Sequence, residues 1–427
     1  MKSSELRRVA SVLVPFASLQ LLTQLGTAIA GLLVVRILSV AEFAVYAIAV
    51  SVQGTLTVLS DIGVSTLLLS RAGSFAGDQR RLAQLLNAAR SLRARLFVVV
   101  VAVAAPLLWW SLSATKPTFR SWSVTTVLVL TSVGVQVSAT LDGTMALALL
   151  RSARYQASLL VGALVRLGGV ALFLARAPFS WVGLVVNILA ASSQAISMRL
   201  VINQLLPRED GQLTEDQAEF RRIIRTQVVN AAYYAFSSQI TLWLVGWLST
   251  ARTVAEIGAL GRISSILVLA QSGVTALVAP RIARLTDSRL LLRRYLQVVT
   301  FASLGCCAVI ALSFLYPSAL LWFIGPKYEG LGPWLPIAMA ATLAYALSVT
   351  LYSLNASRAW IEQAWLSIPL TLLLQGTSLL WLDVSQLNGA LVFGFCSSIP
   401  SLMVQVGIGF QRLRRELRAP SIRSASV

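Results

Sequence analysis

Apolar residues run along this chain in stretches of about 18–25 positions, broken by short polar connections. A helix of that length rises about 30 Å, the thickness of a bilayer's hydrocarbon core. Twelve such helices are legible, near residues 11–35, 43–70, 96–113, 122–150, 157–175, 181–203, 226–249, 258–280, 295–316, 333–354, 364–382 and 388–410. The runs are too continuous for the short alternating segments of a membrane β-barrel. Their connections turn at Pro, Gly, Asp and Arg, as in "ATKPTFRS", "ARAPFS" and "IGPKYEGLGP". The expected fold is all-α and polytopic.

Composition agrees. The chain is 57% hydrophobic and 12% charged, with mean hydropathy +0.77, too little polar residue to cover a soluble protein of 427 residues. The first apolar run is too long for a cleaved signal and is read as a retained helix. Cys306, Cys307 and Cys396 fall in apolar runs and lack metal-ligand spacing. Histidine is absent, which removes the commonest general base, metal ligand and physiological-pH switch.

The net charge of +19 has a topological explanation that needs no nucleic acid. With the N-terminus inside, 27 Lys and Arg fall on inner segments and six on outer ones (Arg36, Lys116, Arg120, Arg176, Arg252 and Lys327). That bias sets both termini in the cytoplasm and requires an even number of spans. The outer loops are short, so no extracytoplasmic enzyme domain is expected. No G-x-x-x-x-G-K-[ST] loop is present to cradle a nucleotide. The basic stretch 71–95 reads either as an amphipathic helix on the inner leaflet or as a solvated loop.

The chain also repeats itself. Residues 31–71 laid on 241–281 without a gap match at 12 of 41 positions, among them Leu38-Ser39 with Leu248-Ser249, Gly63-Val64 with Gly273-Val274, and Arg71 with Arg281. An offset of six helices keeps both copies in the same membrane orientation. The halves should then be related by an axis along the membrane normal, with a substrate path between two rocking lobes. The boundaries are an N-lobe over 1–204, a linker over 205–225, a C-lobe over 226–410 and a basic tail over 411–427.

Within the copies, "LSDIGVSTLLLSR" and "LAQSGVTALVAPR" differ at one telling place, Asp61 against Gln271. An ionised side chain at mid-bilayer costs roughly 2.5–3.5 kcal/mol and needs a partner or a wet cavity. Four such residues stand out: Asp61, Asp142, Arg166 and Arg262. Asp142 and Arg166 lie at similar depth on adjacent antiparallel helices. They read either as a buried ion pair or as a cavity arginine held by an acid. Asp61 ends a stripe of Gln53, Thr57 and Asp61, which faces a cavity or a neighbouring helix; the acid itself reads either as a cavity residue or as the partner of a backbone amide or a nearby arginine at the cytoplasmic end. Arg36 ends helix one, where it snorkels or meets substrate. Gln20 and Gln24 on helix one, and Asn230 and Tyr234 on helix seven, form two polar stripes suited to sugar hydroxyls or to helix–helix hydrogen bonds. Several arginines and few acids favour a phosphorylated or otherwise anionic substrate.

The stretch "VVRILSVAEFAVYAIAVSVQGTLTVLSDIGVSTLLLSR" resembles the N-terminal signature of the polysaccharide-transport flippases, the Wzx-type O-antigen group within the MATE-like MOP superfamily. Arg36, Glu42-Phe43, Tyr46 and Asp61-Ile62-Gly63 fill its places. "VAEIGALGRISSI" resembles the family's entry to helix eight, with its arginine at Arg262, and "LLWFIGPKYEGLGPWLPIAMA" its connection from helix nine to ten. An Asp frequent late in helix seven is missing from "QITLWLVGWLS". The resemblance implies a non-enzymatic flippase that carries a polyprenyl-pyrophosphate-linked oligosaccharide across the bacterial inner membrane by alternating access. Arg262, Arg166 and Arg36 would form its cationic cavity, with Asp61, Asp142, Gln20, Gln24, Asn230 and Tyr234 as cavity, coupling or gating residues. No cofactor or metal is implied beyond coupling to a proton or sodium ion. The implied partners are the lipid-linked substrate, membrane lipids, and polysaccharide polymerase and assembly proteins, around a monomer that binds no nucleic acid. A MATE-like drug:cation antiporter is the alternative. It ranks second because helix one carries no acid and the cavity residues are mostly basic.

Overall fold

A computed structural model describes residues 3–75, 77–112, 118–207, 239–278, 287–358 and 362–418, with single positions elsewhere. Side chains are described from Ser18 onward, leaving out residues 265–277 and a few single positions. Among the described residues the secondary structure is helical, with no strand. Ten helices are long and apolar enough to cross a membrane, counted over the described residues alone. The expected seventh span lies partly outside the described residues, and side chains are not described over much of the eighth. The chain divides into two compact units, Met1–Ala255 and Glu256–Val427.

The first unit is built from α1 (Ser3–Ile37), α2 (Val40–Asp61), α3 (Val64–Ser74), α4 (Gln79–Ser111), α5 (Phe119–Ala148), α6 (Ser152–Gly169), α7 (Ser180–Leu205) and the short α8 (Ile240–Leu248). Side chains supply the helix starts. Ser39, Asp78 and Thr118 accept the backbone N–H three residues on, which satisfies a donor that the helix leaves orphaned. α6 continues through one π-helical turn, Val170–Leu174. Small residues let α6 and α7 approach: a Cβ on Gly169 would meet Val186 at 2.8 Å, and one on Gly162 would meet the Ala190 carbonyl at 3.2 Å.

Two expectations change here. Helix two does not run unbroken over 43–70. It stops at Asp61, passes through Ile62 (φ 34°) and Gly63 (φ 78°), and restarts as α3. The left-handed conformation is open to glycine and strained for the β-branched isoleucine. The basic stretch before helix three is neither a solvated loop nor a leaflet helix. α4 begins at Gln79, and Leu82, Leu85, Leu86, Ala89 and Leu92 are buried against Val64, Leu68, Met145 and Ile202. The apolar face of this stretch is covered by protein.

The second unit holds most of α9 (Ala251–Leu277), then α10 (Ser288–Leu315), α11 (Pro317–Leu321), a 3-10 segment over Pro326–Trp334, α12 (Leu335–Ser357), α13 (Ser367–Trp381) and α14 (Leu387–Arg418). α12 and α14 pack along each other, and α10 packs on α12. Between them sits a satisfied polar knot. The Tyr295 hydroxyl donates to Asn355 Oδ1 at 2.9 Å, and Asn355 Nδ2 donates to both the backbone and side-chain oxygens of Gln405, each at 3.0 Å. A Cβ on Gly389 would lie 2.0 Å from the Asp383 carbonyl oxygen, so the tight entry to α14 requires glycine.

Candidate functional site: a polar cavity in the first unit

α4 carries two arginines three residues apart, Arg90 and Arg93, and each meets an acid from another helix. Arg93 is 2% exposed. Its Nη2 lies 2.7 Å from Asp61 Oδ1, its Nε donates to the Ser60 carbonyl, and its Nη1 donates to the Val137 carbonyl and to Thr140 Oγ1. Asp61 Oδ1 also accepts the N–H and the hydroxyl of Ser65, at 3.1 and 2.8 Å. It thereby caps α3 just after the break. Arg90 Nη2 lies 2.5 Å from Asp142 Oδ1, and Arg199 Nη1 lies 3.4 Å from Asp142 Oδ2.

The pair expected between Asp142 and Arg166 is therefore not made. Equal depth was the argument for it, but depth does not fix the direction in which a side chain leaves its helix. Asp142 is 2% exposed and is held by α4 and α7.

Arg166 instead lines a cavity of about 410 Å³ midway along the helices. α1 contributes Thr23 and Thr27, α2 contributes Gln53 and Thr57, α5 contributes Gln136, and α7 contributes Asn187 and Gln194. Among the described residues lining the cavity, Arg166 is the one that is charged. Its Nη2 donates to the Tyr46 hydroxyl at 3.2 Å, and Asn187 Nδ2 reaches the same oxygen at 3.1 Å. Tyr46 is buried at 1% exposure and anchors this corner.

Two polar atoms of the cavity are buried and unsatisfied: Arg166 Nε and Gln53 Oε1. Gln53 spends its amide N–H groups on Ser132 Oγ and Gln136 Oε1. Thr23, Thr27 and Thr57 each donate their hydroxyl proton to the carbonyl four residues back, which leaves oxygen lone pairs as their offering. The wall thus presents hydroxyl acceptors, amides and one forked cation. A buried donor and a buried acceptor without partners cost free energy until a ligand meets them.

Of the residues singled out from sequence, Gln53, Thr57 and Arg166 share this cavity, while Asp61, at the end of the same stripe, turns to Arg93. Gln20 and Gln24 are half-buried on α1 but do not line it; Thr23 and Thr27 do. Arg36 is exposed in the last turn of α1. Arg262 is half-buried on α9 in the second unit. Asn230 and Tyr234 lie outside the described residues. Gln136, Asn187 and Gln194 were missed, although each is an amide inside an apolar run, the same signal that marked Gln53.

No family profile matches the chain, and no curated protein matches it. Solved structures do. The chain is similar to the lipid II flippase MurJ in an inward closed conformation, at TM-score 0.66 and 11% identity over 95% of this chain and 89% of that one. It is similar to the MATE multidrug transporter DinF-BH, at TM-score 0.65 and 13% identity over 98% of both chains. It also matches a MATE structure in complex with MaL6, at TM-score 0.59 and 12% identity over 95% and 96%. The fold is that of these MATE-like, multi-pass membrane proteins.

Proposed function

We propose that this chain is a flippase that carries a polyprenyl-pyrophosphate-linked oligosaccharide across the bacterial inner membrane, for surface polysaccharide assembly, with both termini in the cytoplasm. The observation that carries the reading is the cavity wall. It joins an unsatisfied arginine Nε and an unsatisfied amide oxygen to hydroxyls and amides, with no acid among the described lining residues. Such a wall suits a head group that offers both sugar hydroxyls and anionic oxygens. It suits a cationic drug poorly. Asp61 and Asp142, the two acids singled out within the spans, are engaged by arginines and stand outside the cavity lining.

No covalent step is needed. Arg166 binds and orients, Tyr46 accepts from its guanidinium and is itself held by Asn187, and the committed threonine protons keep the wall acceptor-rich.

The test is deletion of the gene and its replacement by variants. Deletion should accumulate a lipid-linked oligosaccharide on the cytoplasmic face. Arg166→Ala should lower complementation about 10- to 100-fold, since a hydrogen bond to a charged group contributes about 1.5–3 kcal/mol. Arg166→Lys should retain part of it. Full complementation by Arg166→Ala would remove this residue from the site. Drug efflux with no accumulated intermediate would favour the antiporter.

A further inference from the structure

The first unit contains a second, larger cavity, of about 800 Å³, at the end where α2, α5 and α7 begin. Charge counting assigns that end to the outside. Its volume lies within the roughly 300–1,000 Å³ of small-molecule sites. We propose that it is a binding site for uncharged pyranose rings, holding the sugar chain of the translocated molecule, or the free oligosaccharide, on the far side of the membrane.

Three features of the wall point to this ligand. The first is its hydroxyl chemistry. Thr115 donates its proton to the Leu112 carbonyl, Ser121 to the Thr118 carbonyl, Thr125 to the Ser121 carbonyl, and Thr118 to Ser121 Oγ. With these four protons committed, the oxygens offer lone pairs, and a neutral polyol supplies the matching O–H donors. An anion would meet a row of acceptors. A cation would meet Arg120, which lines the same cavity.

The second feature is the aromatic face. Trp181 lines the cavity at 49% exposure. Phe179 stacks beside it at 6.4 Å between ring centroids and 15° between planes, which limits its tilt. A pyranose has an apolar C–H face that lies flat on such a ring while its hydroxyls reach the polar wall.

The third is the pairing of fixed donor and acceptor groups. Glu42 Oε2 accepts the Ser180 N–H at 2.6 Å, which holds the carboxylate at the cavity wall and leaves its second oxygen for other donors. Arg120 supplies the forked donor for ring and hydroxyl oxygens.

The inference shares with the transport reading only the chemistry of the ligand. The full chain in nanodiscs is titrated with soluble oligosaccharides, released by mild acid from the surface glycan of the producing cell, and followed by tryptophan fluorescence and calorimetry. Wild type should show saturable binding. Trp181→Ala and Arg120→Ala should each weaken it about tenfold. Trp181→Phe should retain most of it. Unaltered unfolding midpoints in the variants exclude misfolding as the cause. Absence of binding by wild type, or wild-type affinity in both Trp181→Ala and Arg120→Ala, would overturn the site. If fragments bind but deletion of the gene accumulates no intermediate, the transport reading fails and this site stands. If the intermediate accumulates but these variants bind normally, the reverse holds.

Discussion

The two copies of the repeat part company at three residues. In the first copy, Asp61-Ile62-Gly63 stops one helix and starts another, with Ile62 and Gly63 left-handed. In the second, Gln271-Ser272-Gly273 occupies the same register, and α9 runs from Ala251 to Leu277 without a break. Gly-Val closes the comparison in both. The shared glycine therefore does not dictate the break. The acid goes with it: Asp61 accepts the Ser65 N–H that a continuous helix would satisfy with a carbonyl, and it holds the buried Arg93. Where the helix is continuous, no such cap is needed and an uncharged glutamine suffices.

The comparison is most severely broken through Arg93. Arg93→Ala should lower the unfolding free energy by about 3–5 kcal/mol, read by chemical or thermal unfolding of purified protein. It removes the partner of Asp61 and leaves a void among α2, α4 and α5. Asp61→Asn should cost about 2 kcal/mol, because the amide oxygen can still cap Ser65 while Arg93 loses its counter-charge. Asp61→Ala should cost about 1 kcal/mol more, the value of the cap. An Asp61→Asn variant as stable as wild type would mean that the break holds without the charge.

The smallest effects are the sharpest, because their signs oppose. Gly63→Ala places a Cβ on a left-handed residue and should destabilise by about 1–2 kcal/mol. Gly273→Ala replaces glycine inside a helix and should stabilise by up to about 1 kcal/mol. If both destabilise equally, the second copy is also broken at its glycine.

The span pattern was legible because a bilayer imposes one length on every apolar run. The break in helix two was not, since an apolar run continues through it and no proline marks it. Arg166 was legible as a charge inside such a run. Its surroundings were not, because each residue along a helix turns the face by about 100°. Thr23 and Thr27 reach the cavity where Gln20 and Gln24, three residues back, do not. Arg90 and Arg93 were counted as topological charges of a loop. They are also the partners of Asp142 and Asp61: an arginine for Asp61 was one of its open readings, but which arginine was not legible, because the stretch holding it reads as a solvated loop or a leaflet helix. Asp142 was matched to the arginine next along the chain at its depth, although the chain offered Arg90 from one side and Arg199 from the other.

The placement of these arginines on α4 also sets an order of biosynthesis. Asp61 precedes Arg93 in the chain, so their bond can close as soon as α4 leaves the ribosome and meets α2. Arg90 must wait for Asp142 on α5, and Asp142 must wait for Arg199 on α7. A nascent chain halted between α4 and α5 would carry one arginine neutralised and its neighbour one turn away still seeking water. The translocon or the lipid headgroups would have to shelter Arg90 until Asp142, fifty-two residues beyond it in the chain, has emerged.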